Sequence, residues 1–263
     1  MKPRKIFKTK KLDKDMQLIH QLFLELSGFS LERISLTLVL STLWAMMAIT
    51  LAGYSKRRFR WYTGYSRKIF HFFIFFGAAL VQAVWGFATL CLFGFCTSLV
   101  IFYSLVKGAD HLWYEGIARE KDAPHRTRYV VIPYLATLLG GLMANWGFGS
   151  FAIVGYLVTG LGDAIGEPVG LLLGRHHFQI PTPAAVPTIR SLEGSTAVWI
   201  GSTIAVFLGL RMIHPSPVNS SYLLTILLIG LLSVIVEAFS PHGWDNFTLQ
   251  IIPTALSSLF FSC

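Results

Sequence analysis

Charged residues and cysteines are scarce in this chain of 263 residues. Only 13% of the residues are charged, 54% are hydrophobic, and the mean hydropathy is +0.59. This composition excludes an ordinary soluble domain. The three cysteines show no spacing typical of a zinc site or of a disulfide framework, because Cys91 and Cys96 lie within an apolar run and Cys263 is terminal.

Several motif classes are missing as well. No segment matches the GxxxxGK[ST] loop, so the chain is not a P-loop nucleotidase. There is no nucleic-acid-binding motif and no soluble domain to carry a binding groove. Although the net charge is +9, with 22 basic against 13 acidic residues, we therefore expect no nucleic-acid partner.

Long apolar runs dominate what is present. Each is about the twenty residues needed to cross roughly 30 Å of hydrocarbon. They lie near 34–54, 69–86, 87–106, 129–147, 149–173, 194–213, 221–239 and 246–262. The sequence predicts an all-α fold, a polytopic integral membrane bundle of about eight transmembrane helices. We expect it in the inner membrane of a bacterial cell, or otherwise in an endomembrane.

Two regions follow from this pattern. A basic N-terminal tail with an amphipathic segment occupies 1–33, and a transmembrane catalytic domain occupies 34–263. Alternation of the spans places the polar segments 55–68, 107–128, 174–193 and 240–246 on one face. The first two are rich in Lys and Arg, which favours the cytoplasmic side. Gathering nearly every polar motif on one face is typical of a single active site.

The segment 160–178 combines carboxylates with glycines at the end of an apolar run. Asp163 and Glu167 are four residues apart and would share one face if the segment is helical, while glycines at 160, 162, 166 and 170 leave room for a ligand or another helix. A carboxylate at membrane depth is costly unless it has a metal or a cationic partner. The segment is therefore a candidate functional site.

The remaining polar residues indicate phosphate chemistry. Arginine holds phosphate oxygens through a planar fork, and lysine does so as a point charge. Carboxylates suit a divalent cation, and Mg²⁺ commonly takes one or two of them together with substrate phosphates. The candidate phosphate-binding cations are Arg67, Lys68, Arg175 and Arg190, and the candidate cation-binding carboxylates are Asp163, Glu167, Glu193 and Asp245.

Each candidate has a structural alternative. Asp163 could belong to a salt bridge that packs helices, and His71 could satisfy a backbone carbonyl instead of orienting a phosphate. Arg67 and Lys68 could be interface residues with extended side chains, and the Asp245-Asn246 pair could cap a helix.

Four motifs in order resemble the dolichol kinase and phytol kinase family over roughly residues 65–262. They are Arg67-Lys68-Ile69-Phe70-His71, then Gly162-Asp163 with Gly170 and Gly174-Arg175, then Arg190-Ser191-Leu192-Glu193-Gly194-Ser195, and finally Glu237-Ala238-Phe239-Ser240 with Asp245-Asn246-Phe247-Thr248. The resemblance implies an integral membrane kinase that phosphorylates the hydroxyl of a long-chain isoprenoid alcohol, such as phytol, farnesol or a polyprenol. It implies CTP or ATP as donor. From the carboxylates and the phosphate chemistry above, we expect Mg²⁺ as cofactor, and we expect membrane lipids as partners.

On this resemblance, the site residues have distinct expected roles. Asp163 binds the metal, and Asp163, Glu167 and Glu193 are the catalytic candidates. The residues expected to bind nucleotide or phosphate are Arg67, Lys68, His71, Gly162, Gly174, Arg175, Arg190, Ser191, Gly194, Asp245 and Asn246. Related chemistry stays open, namely a phosphatidate cytidylyltransferase or a diacylglycerol kinase. The non-enzymatic alternative is an ion-coupled transporter, whose ions bind near broken helices.

Overall fold

The computed structural model describes residues 27–180, 188–214, 222–241 and 243–262. Its helices are α1 (Leu31–Phe59), α2 (Thr63–Lys107), α3 (Leu112–Ile117), α4 (Arg128–Phe148), α5 (Ala152–Leu157), α6 (Ala164–Leu173), α7 (Leu192–Ile213), α8 (Leu223–Phe239) and α9 (Asp245–Phe261). A π-helical turn, Val158–Asp163, joins α5 to α6. Short 3₁₀ turns lie at Glu120–Asp122 and Gly149–Phe151. Most of the N-terminal tail predicted at 1–33 lies outside the described residues.

Helix α2 folds back on itself at Gly86. This residue has φ 82° and ψ −178°, a conformation that only glycine adopts readily. A Cβ built on Gly77 would lie 3.0 Å from the ring of Phe93. Sixteen residues of straight helix would separate the two by about 24 Å, so the two halves of α2 are antiparallel neighbours.

A second fold-back separates α4 from α5. Gly149 has φ 58°, and Asn145 before it hydrogen-bonds to Tyr156 after it, with 2.6 Å between Asn145 Nδ2 and the Tyr156 hydroxyl oxygen. The breaks at Gly86 and Gly149 coincide with the boundaries between predicted apolar runs. They occur without a polar linker because a single glycine with positive φ is enough to reverse each helix.

Within the described residues, four helical segments are long and apolar enough to cross a membrane. They are Leu31–Phe59, Thr63–Lys107, Arg128–Leu173 and Leu192–Ile213, and Leu223–Phe239 is a shorter apolar helix. The predicted all-α membrane bundle agrees with this architecture. One small departure is an antiparallel pair of strands, β1 (His177–Ile180) and β2 (Thr188–Ser191), in which Phe178 lies opposite Arg190.

Two of the predicted polar segments, 55–68 and 107–128, contact each other. Lys56, near the end of α1, binds Glu115 on α3 with 2.8 Å between Nζ and Oε2, and Glu120 with 2.6 Å between Nζ and Oε1. Arg126 donates two hydrogen bonds to Glu115, each 2.9 Å long. At the start of α2, Thr63 hydrogen-bonds to Glu120 at 2.7 Å. These contacts attach the 107–128 segment to the first turn of α2.

The segment α5–α6 lies inside the bundle and packs closely on α7. A Cβ on Gly162 would overlap Ser202 of α7, and one on Gly194 would lie 3.1 Å from the Gly166 carbonyl oxygen. The glycines of 160–178 therefore let two helix backbones approach each other. Of the two uses that the sequence left open for these glycines, the structure shows helix packing.

Candidate functional site

The π-helical turn Val158–Asp163 carries the central carboxylate. Wider π turns are rare and occur often at functional sites. Here the turn presents two groups to α2: the side chain of Asp163 and the backbone carbonyl of Thr159. Asp163 is only 4% exposed, so its charge must be balanced within the protein.

Lys68 and His71, one helical turn apart on α2, both contact this carboxylate. Lys68 Nζ lies 2.7 Å from Asp163 Oδ2, and the lysine is itself 5% exposed. His71 Nε2 lies 3.3 Å from the same oxygen and 2.9 Å from the Thr159 carbonyl oxygen. Because both neighbours of Nε2 are acceptors, this nitrogen carries a proton. The three side chains form a buried triad.

Two further ion pairs flank the triad. Arg67 Nη2 lies 3.2 Å from Glu167 Oε2, one turn after Asp163. Arg190 on β2 pairs with Glu237 near the end of α8. The charge of Glu237 also interacts with Asp163. We call these seven residues the ionic cluster: Arg67, Lys68, His71, Asp163, Glu167, Arg190 and Glu237.

The first two turns of α9 complete the polar end of the site. Asp245 accepts a hydrogen bond from the backbone N–H of Asn246 at 3.0 Å, and its charge interacts with Arg67. Asn246 Nδ2 donates to Thr137 Oγ1 on α4 at 2.9 Å. Gln250, one turn later and fully buried, donates to the Thr137 carbonyl at 3.2 Å. Asn246 therefore has a packing role between α4 and α9.

A cavity of about 400 Å³ joins these polar groups to an apolar interior. Its polar end is formed by Arg67, Lys68, His71, Asp163, Asp245 and Asn246. Its remaining wall is largely aromatic and aliphatic, with Phe70, Phe75, Phe87 and Leu138 as examples. The cavity thus suits an amphipathic molecule whose polar group faces the triad.

Besides Glu193, five predicted site residues lie outside both the lining of this cavity and the ionic cluster. Ser191 caps α7 by accepting from the Gly194 N–H at 3.1 Å. A Cβ on Gly174 would lie 3.0 Å from the Ser191 Cβ, so Gly174 packs closely against that cap. Gly162 packs on α7, and Arg175 is exposed. The five residues are Gly162, Gly174, Arg175, Ser191 and Gly194.

The predicted catalytic residue Glu193 contacts a different partner. Its Oε1 lies 2.7 Å from Nδ1 of His176, whose side chain is 72% exposed. Glu193 follows Arg190 closely in sequence, but the helix starts between them and separates their side chains. The structure thus places Asp163 and Glu167, but not Glu193, in the ionic cluster.

Two residues of the site were not among the predicted ones. Glu237 is 4% exposed within an apolar helix. A carboxylate in an apolar run is costly, so the signal that identifies Asp163 in the sequence is present at Glu237 as well. Gln250 lines the cavity and is fully buried. Its signal in the sequence is weaker, since a single amide in an apolar run is common in helix packing.

The carboxylates at this site could supply only part of the coordination shell of Mg²⁺. Among the described residues, no group of three His, Cys, Asp or Glu side chains is arranged to hold a metal ion. Asp163 and Asp245 line the same cavity, and Mg²⁺ usually takes one or two carboxylates and completes its shell with water and phosphate oxygens. The site therefore suits an ion that arrives with a polyphosphate rather than a permanently bound one.

Comparison with known proteins gives no family assignment. No family model matches the chain, and no curated protein or solved structure is significantly similar to it.

Proposed function

We propose that this chain is a membrane-embedded lipid kinase that transfers a phosphoryl group from CTP or ATP to the hydroxyl of a long-chain isoprenoid alcohol. The observation that carries the proposal is a cavity that joins an apolar wall to the triad Lys68, His71 and Asp163. A lipid alcohol has this same division between a long apolar chain and one small polar group.

The charges of the cluster support a phosphate donor. Lys68 and Arg67 line the cavity and are each paired with a carboxylate, so a polyphosphate entering the site would share these cations with Asp163 and Glu167. Arginine and lysine at this position would hold phosphate oxygens and fix the donor relative to the acceptor hydroxyl. Asp163 and Asp245 would hold Mg²⁺, which supplies neutralisation of the transferring phosphoryl charge.

The acceptor proton has two nearby carboxylates to receive it. Asp163 lines the cavity directly, and Glu167 lies beside Arg67. Glu193 lies outside the cluster and is not retained as a candidate. In a loose phosphoryl-transfer transition state the attacking hydroxyl needs little activation, so positioning by Lys68 and His71 is the main contribution of the protein.

The proposal includes an orientation in the membrane. We place about eight spans in the bilayer. In this count the two halves of α2, before and after Gly86, are separate spans, and so are the helices before and after Gly149. The basic polar end, with the ionic cluster near it, faces the cytoplasm. The membrane is the inner membrane in a bacterium or an endomembrane elsewhere, and membrane lipids surround the apolar surface.

Product analysis with the purified protein tests the proposal. Phytol, farnesol, a polyprenol, diacylglycerol and phosphatidate are each supplied with labelled CTP or ATP and Mg²⁺, and the products are identified by mass spectrometry. A phosphorylated isoprenoid alcohol is the expected product. A cytidylylated lipid or phosphorylated diacylglycerol would replace the proposed reaction by one of its alternatives. Ion-dependent solute uptake without nucleotide turnover would refute an enzymatic role.

A further inference from the structure

The cavity lies between two helices that hardly touch. The second half of α2 and helix α4 both contribute to its wall, yet their backbones scarcely approach each other. Gln82, which lies in the first half of α2 just before the bend at Gly86, bonds to Asn145 near the end of α4, with 2.6 Å between Nε2 and Oδ1. Near the polar end, Val130 and Tyr134 of α4 pack on the apolar cluster that contains Ile101. A gap remains between these two contacts.

The rim of this gap faces the outside of the bundle. Phe95 on α2 is 57% exposed and Leu142 on α4 is 53% exposed, although both also line the cavity. Gly94, next to Phe95 on α2, also lines the cavity, and a Cβ built on it would meet no atom within 4 Å. The wall is therefore open at this position, on a surface that consists of apolar side chains.

The polar side chains at the gap do not require a polar ligand. Ser98 donates to the Gly94 carbonyl at 2.6 Å, and Thr97 donates to the Phe93 carbonyl at 2.9 Å. Both hydroxyls are thus satisfied by their own helix. The surface that these two residues leave toward the cavity is therefore suited to hydrocarbon.

We infer that the gap between the second half of α2 and α4 is a lateral portal through which the hydrocarbon chain of the lipid alcohol enters from the bilayer. The chain lies past Gly94, between Phe95 and Leu142, and its hydroxyl points to Lys68 and Asp163. The identity of the head group rests on the proposed function. The portal itself rests on the open wall, and its test does not need phosphoryl transfer.

Glycine substitution gives a matched pair of variants for the test. Gly94→Phe fills the opening, whereas Gly147→Phe adds the same side chain to α4 at an exposed glycine that is not part of the cavity wall. At both positions an added Cβ meets nothing within 4 Å, so neither change forces a clash at that atom. Gly94→Ala and Gly94→Leu complete a graded series, and melting temperatures verify that all four variants fold.

The first measurement uses a long-chain alcohol that carries a photoreactive diazirine in its chain, without nucleotide. We expect labelled peptides from 87–107 and 128–148, with labelling reduced about tenfold by Gly94→Phe and unchanged by Gly147→Phe. A loss of this size corresponds to removing about two methylenes from buried contact. Labelling confined to other helices, or equal labelling of the two Phe variants, would overturn the portal.

The second measurement separates the portal from the proposed reaction. With phytol as acceptor, kcat/KM should fall progressively from Gly94→Ala to Gly94→Leu to Gly94→Phe. With a short water-soluble prenol as acceptor, the three variants should keep the parent's rate. Labelling at the portal in a protein that transfers no phosphate would support the portal and refute the kinase. Transfer to phytol with identical kcat/KM in Gly94→Phe and Gly147→Phe would retain the kinase and refute the portal.

Discussion

Replacing Asp163 by Asn should abolish phosphoryl transfer and also lower stability. The substitution keeps the size of the side chain and removes the charge that Lys68 contacts at 2.7 Å and His71 at 3.3 Å. Lys68 would then be left 5% exposed without its nearest counterion. Removing one member of a buried ion pair typically costs 3–5 kcal/mol, so we expect a loss of about that size in the free energy of unfolding.

A second variant separates the catalytic from the structural effect. Lys68→Met removes the orphaned cation, and in the double variant both buried charges are gone, which is often nearly neutral for stability. We therefore expect Lys68→Met with Asp163→Asn to recover most of the lost stability. Transfer should stay absent, because neither the proposed phosphate-binding cation nor the proposed Mg²⁺-binding carboxylate is restored.

The assay compares parent, single and double variants in one detergent. Thermal unfolding reports stability, and phosphorylated product per folded molecule reports activity, with losses of about a thousandfold expected from metal-linked charge stabilisation of several kcal/mol. Recovery of both stability and transfer in the double variant would refute the reasoning, because it would show that the pair only holds α2 to the π turn. An active, magnesium-responsive Asp163→Asn variant would do the same.

Three further predictions concern other parts of the molecule. Arg190→Lys should keep partial activity and Arg190→Ala should raise the nucleotide KM or abolish turnover, since charge survives only in the first; an unchanged KM in the Ala variant would remove this residue from the site. Gly162→Ala should lower the melting temperature by the equivalent of about 1–3 kcal/mol through overlap with Ser202, and Ser202→Gly should restore it. Partial burial raises the pKa of Glu115, but hydrogen bonds from its two cationic neighbours prevail and lower it to about 2 from an ordinary 4.5. The stability from this group is therefore complete above pH 4.5 and lost as pH falls toward 2, which Trp113 fluorescence should report in the parent and not in Glu115→Gln.

Burial leaves charged side chains few options, which explains why several of the charged candidates contact one another in the structure. A buried Asp163 requires a metal or a cationic partner, and in the structure its partners are Lys68 and His71. Both belong to the motif 67–71, for which the sequence predicts phosphate binding. The structural alternative for His71 is also present, since it contacts the Thr159 carbonyl. Contact within the protein and binding of a ligand are therefore compatible uses of the same side chain.

The sequence could not predict which way neighbouring residues face. Arg190 and Glu193 are three apart, but a strand ends and a helix starts between them, so Arg190 reaches Glu237 and Glu193 reaches His176. The strands themselves were missed because each has only 4 residues, too few for an alternating pattern to stand out. Capping by Ser191 likewise depends on where α7 begins.

The pairing within the ionic cluster bears on how a donor could enter it. Each cavity-lining cation already has a carboxylate partner: Lys68 has Asp163 and Arg67 has Glu167. A polyphosphate without a metal ion would draw Lys68 and Arg67 away from Asp163 and Glu167. It would also add negative charge beside these two carboxylates, which is unfavourable. A polyphosphate that carries Mg²⁺ would avoid this cost, because the ion would give Asp163 a positive partner in place of Lys68, which could then hold phosphate. On this argument, nucleotide binding should depend steeply on Mg²⁺ in the parent and lose that dependence when Asp163 is neutralised. Equally tight binding of free and Mg²⁺-loaded CTP by the parent would contradict the exchange of partners.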